Sequence, residues 1–265
     1  MAKKETPKTK ITDWDVDDYS SLYQAGTFLP KAVKERLGLV IPIDVYVQDP
    51  YVAKANQGID FAEIKLRCEP DLMDGPTSAR IAVVDYDADT DRLEKPARWD
   101  AKARCFVFDY KGKPEPITKE RCTEFQFHQV NTWAIIQSVL DIYEEPWVLG
   151  RPAPWAFEGN RLMVVPHAGY MTNAFYDRSS KSIQFYYFGP SDKRGYTCLS
   201  QDIIAHETGH AILDGLRPGY IEDSSLQTTA FHEFVADLTA IMTSLLNSRV
   251  RWLVAADLLD APIET

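Results

Sequence analysis

His206-Glu207-Thr208-Gly209-His210, followed after 22 intervening residues by Glu233, constrains this chain more than any other feature. Side chains four apart on an α-helix return to one face, about 6 Å apart at Cβ, so His206 and His210 can bind one metal ion through neutral imidazoles. Glu207 falls one step round, beside such an ion rather than on it, where a general base takes a proton from activated water. The pattern therefore demands a helix, and its flanks suit one. Ser200 can cap its start, Asp202 puts a negative charge in the first turn, Ile203, Ile204, Ala211 and Ile212 form an apolar side, and Gly215 is expected to end it. Gly209 inside the helix costs about 1 kcal/mol relative to Ala, which implies a second backbone passing close by.

A catalytic zinc site uses three protein ligands and keeps a position for water. Glu233 is the candidate for the third. It is expected to open a second amphipathic helix, in which Phe231, Phe234, Val235, Leu238, Ile241, Met242 and Leu245 follow a helical period. Asp237 lies one turn further on the same face, where its carboxylate can accept the second ring N–H of a liganding histidine. His232 is the alternative third ligand. The spacing excludes a metzincin, which needs glycine and histidine three and six residues beyond His210; those positions are Leu213 and Leu216. His128 and His167 read as ordinary core or surface residues.

Together, His206 to His210, Glu233 and Asp237 resemble the thermolysin-like branch of the gluzincin metallopeptidases. Gly169 to Tyr176 is similar to that family's edge-strand segment, and the resemblance implies that Asn173 and Ala174 hold the substrate backbone. Ser182 to Gly189 looks like the strand that follows, and Asp202 to Ala205 and Asp214 also fit. The resemblance spans roughly residues 120 to 247. It implies a Zn2+-dependent endopeptidase acting on peptide or protein, with Glu207 as general base. Tyr220, near the place of the family's oxyanion-binding tyrosine, is a second catalytic candidate; a turn tyrosine packed on its neighbours would look the same.

The departures are equally specific. The family's helical C-terminal domain carries a histidine and an aspartate that stabilise the oxyanion, and neither that domain nor a histidine after His232 is found before Thr265. His232 stands where the family usually has asparagine. Residues 238 to 250 contain no acidic side chain, which puts calcium sites in doubt. The expectation is weak cleavage by this chain alone, with an apolar strip on the helix from Phe231 to Leu246 left for the absent domain or a partner to cover. Two alternatives stay open: a zinc-bearing binding or structural protein derived from a peptidase, and a fragment or toxin-like module that acts with a partner. Retention of Glu207 argues against a purely structural zinc site.

The chain's 265 residues, 45% of them hydrophobic, can bury a sizeable core. The expected class is α+β. A basic, disordered tail occupies residues 1–12, a β-rich unit residues 13–116, and a zincin-type subdomain of mixed sheet and active-site helix residues 117–265, lacking the helical domain; one continuous domain is the other arrangement. Strands are expected over Leu39–Gln48, Ile59–Arg67, Arg80–Tyr86 and Arg104–Tyr110, with Lys111–Pro116 as the linker. Phe125–Glu144 has helical spacing and stops before Pro146, and Phe185–Phe188 reads as a buried strand with aromatics on both faces. A net charge of -10 argues against general nucleic-acid binding. Cys68, Cys105, Cys122 and Cys198 show no CxxC spacing and read as free thiols rather than a disulfide frame. With no signal peptide and no membrane span in the sequence, a cytoplasmic location is the default expectation, and export by a route without such a signal stays open.

Overall fold

The computed structural model describes residues 39–55, 60–69, 71–222 and 225–260. The tail expected over residues 1–12 and the mixed stretch after it lie outside these residues. The first described run, in which buried residues alternate with more exposed ones over Val40–Val45, forms β1 (Val40–Tyr46), paired antiparallel along its length with β2 (Phe61–Arg67); a short helix, α1 (Pro50–Ala55), lies between them in sequence. Ile41, Ile43 and Val45 face inward, as a two-residue period requires.

The chain continues through β3 (Ile81–Val83), a small hairpin of β4 (Tyr86–Asp87) and β5 (Arg92–Leu93), and an antiparallel meander of β6 (Arg98–Asp100), β7 (Cys105–Tyr110) and β8 (Lys113–Pro116). Residues 111–116, expected as a linker, are instead the turn and return strand of a hairpin. Lys111 and Gly112 take φ of 50° and 79°, and positive φ at both central residues lets a two-residue turn match the twist of its strands. Pro114 and Pro116 are tolerated because β8 is an edge strand.

The helix expected over Phe125–Glu144 forms with those bounds as α2. Its apolar residues lie on every side: Phe127, Val130, Trp133, Ala134, Ile135, Ile136, Val139 and Leu140 are no more than 2% exposed. A helix enclosed all round must pair its polar side chains. Asn131 accepts the Tyr46 N–H at 2.9 Å, while Gln129 donates to Asp85 at 2.7 Å and accepts the Ala97 N–H at 2.8 Å.

Near α2 lies a mixed sheet of β9 (Leu162–Val165), β10 (Ala174–Asp177), β11 (Ser182–Phe185) and β3, in the order β10-β11-β9-β3. β3 and β11 run parallel to β9, and β10 lies antiparallel on the edge. Since β3 precedes residue 116 and its partners follow it, residue 116 does not separate two cores; one apolar core includes side chains from Ile41 to Ile212. The strand expected over Ser182–Gly189 breaks at Tyr186, and β12 (Tyr187–Phe188) pairs instead with β13 (Gly195–Tyr196). Three helices complete the described chain: α3 (Gln201–Leu216), α4 (Leu226–Leu246) and α5 (Ser248–Asp260). The architecture is α+β with a mixed sheet. No helix among the described residues is long and apolar enough to cross a membrane.

Candidate metal centre

Helix α3 carries His206, Glu207 and His210. Ser200 is its N-cap residue, but the Ser200 hydroxyl donates to Asp202 Oδ1 at 2.6 Å and makes no cap bond to the backbone. The helix also runs through Gly215, its expected terminator. A Cβ there would lie 1.7 Å from the Pro154 carbonyl oxygen, so this glycine admits a crossing chain rather than ending a helix. Gly209 has the neighbour its cost implied: a Cβ would lie 2.9 Å from Thr239 Oγ1 and 3.0 Å from Ala236 Cα, both on α4.

Helix α4 begins earlier than its apolar period suggests. Ser225 caps it in a reciprocal capping box with Thr228, so Glu233 sits two turns inside the helix rather than at its start. The buried face is His232, Ala236, Thr239 and Thr243, whereas the apolar residues Phe231, Phe234, Leu238, Ile241, Met242 and Leu246 are 42–57% exposed. Close helix approach explains the inversion: beside Gly209 only small side chains fit. The threonine hydroxyls are paired, Thr239 with the Val235 carbonyl and the Tyr143 hydroxyl, and Thr243 with the Thr239 carbonyl, each at 2.7 Å.

That approach brings three donor atoms from two helices to one point. His206 Nε2 and His210 Nε2 are 3.0 Å apart, and Glu233 Oε2 lies 3.5 and 3.7 Å from them. Donors bound tetrahedrally at zinc–nitrogen and zinc–oxygen lengths stand about 3.3 Å apart, so the set matches a zinc-sized ion. Each histidine is held from behind. His206 Nδ1 is 3.0 Å from Asp237 Oδ1, and His210 Nδ1 is 2.6 Å from His232 Nδ1. His232 therefore supports His210 instead of joining the donor set, and its own Nε2 is buried without a hydrogen-bond partner among the described residues. Burial, reinforced by His206 and His232, pushes the His210 imidazole down to about 3, which keeps it neutral with a free lone pair.

Glu207 is 7% exposed, and its Oε2 accepts the Tyr176 N–H at 2.9 Å. Burial pushes its carboxyl up to about 7; the Tyr176 N–H opposes that shift and the Glu233 charge adds to it. Such a group can take and return a proton near neutral pH. Tyr176 belongs to the edge strand β10, which is fixed to α3 a second way: the fully buried Asp214 accepts the Tyr176 hydroxyl at 2.8 Å and Arg178 Nε at 2.8 Å.

A cleft of about 390 Å³ opens over these groups, lined by His206, Glu207, His210 and Glu233 together with Asn173, Ala174 and Tyr220. Asn173 and Ala174 sit at the start of the edge strand. Tyr220 lies on the 3-10 turn Pro218–Tyr220, with its ring edge-on to Phe231 at 5.7 Å. All expected site residues thus meet in one place. A second convergence was not expected: His128, His167 and Cys198 also come together, in the core. They lie 39 and 31 residues apart in sequence, and no local pattern marks such a set. All four cysteines are free thiols. Compared with known proteins, the chain matches no family model and no curated protein.

Proposed function

We propose that this chain is a zinc-dependent endopeptidase with a zincin-type catalytic subdomain, of the thermolysin-like gluzincin kind that its motifs resemble. The observation that carries the reading is the convergence of His206 Nε2, His210 Nε2 and Glu233 Oε2 beside a buried Glu207. Those three residues would hold the ion, with Asp237 and His232 fixing the two imidazole rings. When bound, the zinc supplies the Lewis acidity that polarises a scissile carbonyl and acidifies water.

The chain's own residues supply the rest. Glu207, held by the Tyr176 N–H, accepts the proton of the attacking water and passes it to the leaving amine. Among the described residues no strand pairs with the outer side of β10, so a peptide can align there as an added strand at Asn173 and Ala174. Tyr220 lines the cleft and is the candidate donor to the oxyanion.

Peptide hydrolysis and zinc binding by four variants test the assignment. Glu207→Gln should retain zinc at this site and lose hydrolysis, whereas His206→Ala, His210→Ala and Glu233→Ala should lose zinc affinity and activity together. Full activity in Glu207→Gln would overturn the mechanism. A wild type that takes zinc at these residues yet cleaves no peptide would instead be a zinc-binding relative of a peptidase.

A further inference from the structure

His128 on α2, His167 after β9 and Cys198 just before α3 meet at a fully enclosed point: they are 2%, 0% and 0% exposed. His128 Nδ1 lies 2.9 Å from His167 Nε2, which is in turn 3.9 Å from Cys198 Sγ, and the three donor atoms all fall within 4.8 Å of one another.

The hydrogen positions follow from what stands behind each ring. His167 Nδ1 faces Asp85 Oδ1 at 2.8 Å, so it carries the proton and donates it; Asp85 is held there by Gln129. His128 Nε2 faces the Cys122 carbonyl oxygen at 3.2 Å, so it too carries its proton. In neutral rings the two remaining nitrogens are then both acceptors, aimed at each other. A buried pair of lone pairs at that distance needs a cation between them. The Cys198 S–H, with its sulfur 3.9 Å from His167 Nε2, can satisfy only one of the two nitrogens. Imidazoles whose outer N–H groups are anchored on a carboxylate and a backbone carbonyl are also how proteins orient histidines toward metal ions.

We propose that His128 Nδ1, His167 Nε2 and Cys198 Sγ form a second, structural metal site, for a thiolate-seeking transition ion such as zinc or copper. Zinc bonds of about 2.0 Å to nitrogen and 2.3 Å to sulfur put such donors about 3.3–3.6 Å apart, so on binding the two histidine nitrogens would separate slightly from 2.9 Å and Cys198 Sγ would draw in toward them. Binding replaces the Cys198 thiol proton, which leaves to solvent, while both histidines stay neutral. The Phe125 ring, 4.2 Å from His167, and the Tyr196 ring, 4.8 Å from His128, wall the point off. The site is thus closed to substrate and distinct from the cleft. Its effect is mechanical. Cys198 is in the 3-10 turn that leads into α3, and its carbonyl already accepts from Asn131 and Thr132 of α2, each at 3.1 Å. An ion there would clamp the start of the histidine-bearing helix to the central helix.

The test reads sulfur ligation directly, since Cys198 is the one thiolate in either proposed donor set. Full-length protein is purified from cells supplied with cobalt, zinc or copper, so that the buried site can fill during folding. Cobalt-loaded wild type should show a sulfur-to-cobalt charge-transfer band in the near ultraviolet. The His206→Ala/His210→Ala double variant should keep that band and one equivalent of metal per chain. Cys198→Ser, which keeps the cleft site, should lose the band and one of the two metal equivalents of wild type and should unfold at a lower temperature, and the metal retained by the double variant after zinc and after copper growth identifies the ion. If wild type and the double variant lack the band and the double variant carries no stoichiometric metal from any medium, the proposal is overturned and a proton bridges the histidines. Because the readout persists without His206 and His210, its failure and a failure of the peptidase assignment are separable.

Discussion

Glu207 shows how one side chain's surroundings set its chemistry. In the metal-free protein its carboxyl is raised from 4.5 to about 7, chiefly by burial. Between those values the unfolded chain has lost the Glu207 proton while the folded chain keeps it, so this group's contribution to stability is fully present below about pH 4.5 and is lost as pH rises through about 7. A shift of that size corresponds to a few kcal/mol. We expect metal-free wild type to lose on the order of 3 kcal/mol relative to Glu207→Gln between about pH 4 and pH 8, measured by denaturant unfolding at each pH. Parallel curves for the two proteins would mean that Glu207 is solvated. His210 shifts the other way, and the difference between wild type and variant cancels its contribution to first order. Asp237 and His232 act through the rings they hold: Asp237→Ala and His232→Ala should each weaken metal binding at this site by about 10 to 100-fold, as read by competition with a chelating dye. If His232→Ala abolishes binding while Glu233→Ala does not, the two have exchanged roles.

At the scale of elements, the packing of α3 against α4 makes the site. Two glycines on α3 carry separate close approaches, Gly209 to α4 and Gly215 to the chain at Pro154. Gly→Ala in a helix would ordinarily stabilise by about 1 kcal/mol, but here the added methyl meets atoms that must move. Gly209→Ala should push α4 outward, lowering metal affinity through Glu233 and Asp237 together with thermal stability. Gly215→Ala meets a backbone oxygen and should be destabilised by about 1–3 kcal/mol or more. Calorimetry and metal titration on both variants separate the effects, and unchanged affinity in Gly209→Ala would show that α4 does not depend on that contact. The sequence period of α4 was misleading for the same reason. Its large apolar residues do lie on one side, yet the side that packs is the one small enough to approach α3.

Across the whole molecule, a core shared by both halves of the chain supports a helix pair with one bare side. Phe231, Phe234, Leu238, Ile241, Met242 and Leu246 form an exposed apolar strip, the kind of surface that promotes association. Phe234→Gln with Ile241→Gln should therefore change stability by no more than about 0.5 kcal/mol per site, and should reduce concentration-dependent association in sedimentation. A loss of several kcal/mol would show that the strip is packed. The shared core also explains why composition misplaced a linker at Lys111–Pro116. Lysine, glycine and proline there satisfy a tight turn and an edge strand, and the same residues suit a flexible connector.

What could be read from the chain alone was local. Two histidines and a glutamate at helical spacing define their own geometry, and α2 was legible to the residue because twenty positions of helical period end before Pro146. The choice between Glu233 and His232 as third donor was not local, since both lie on α4 and only its rotation against α3 turns Glu233 toward the Nε2 atoms of His206 and His210 and His232 behind His210. The meeting of His128, His167 and Cys198 was further out of reach. Each residue comes from a different element, and their distances are set by how α2, the segment after β9 and the turn before α3 close on one another.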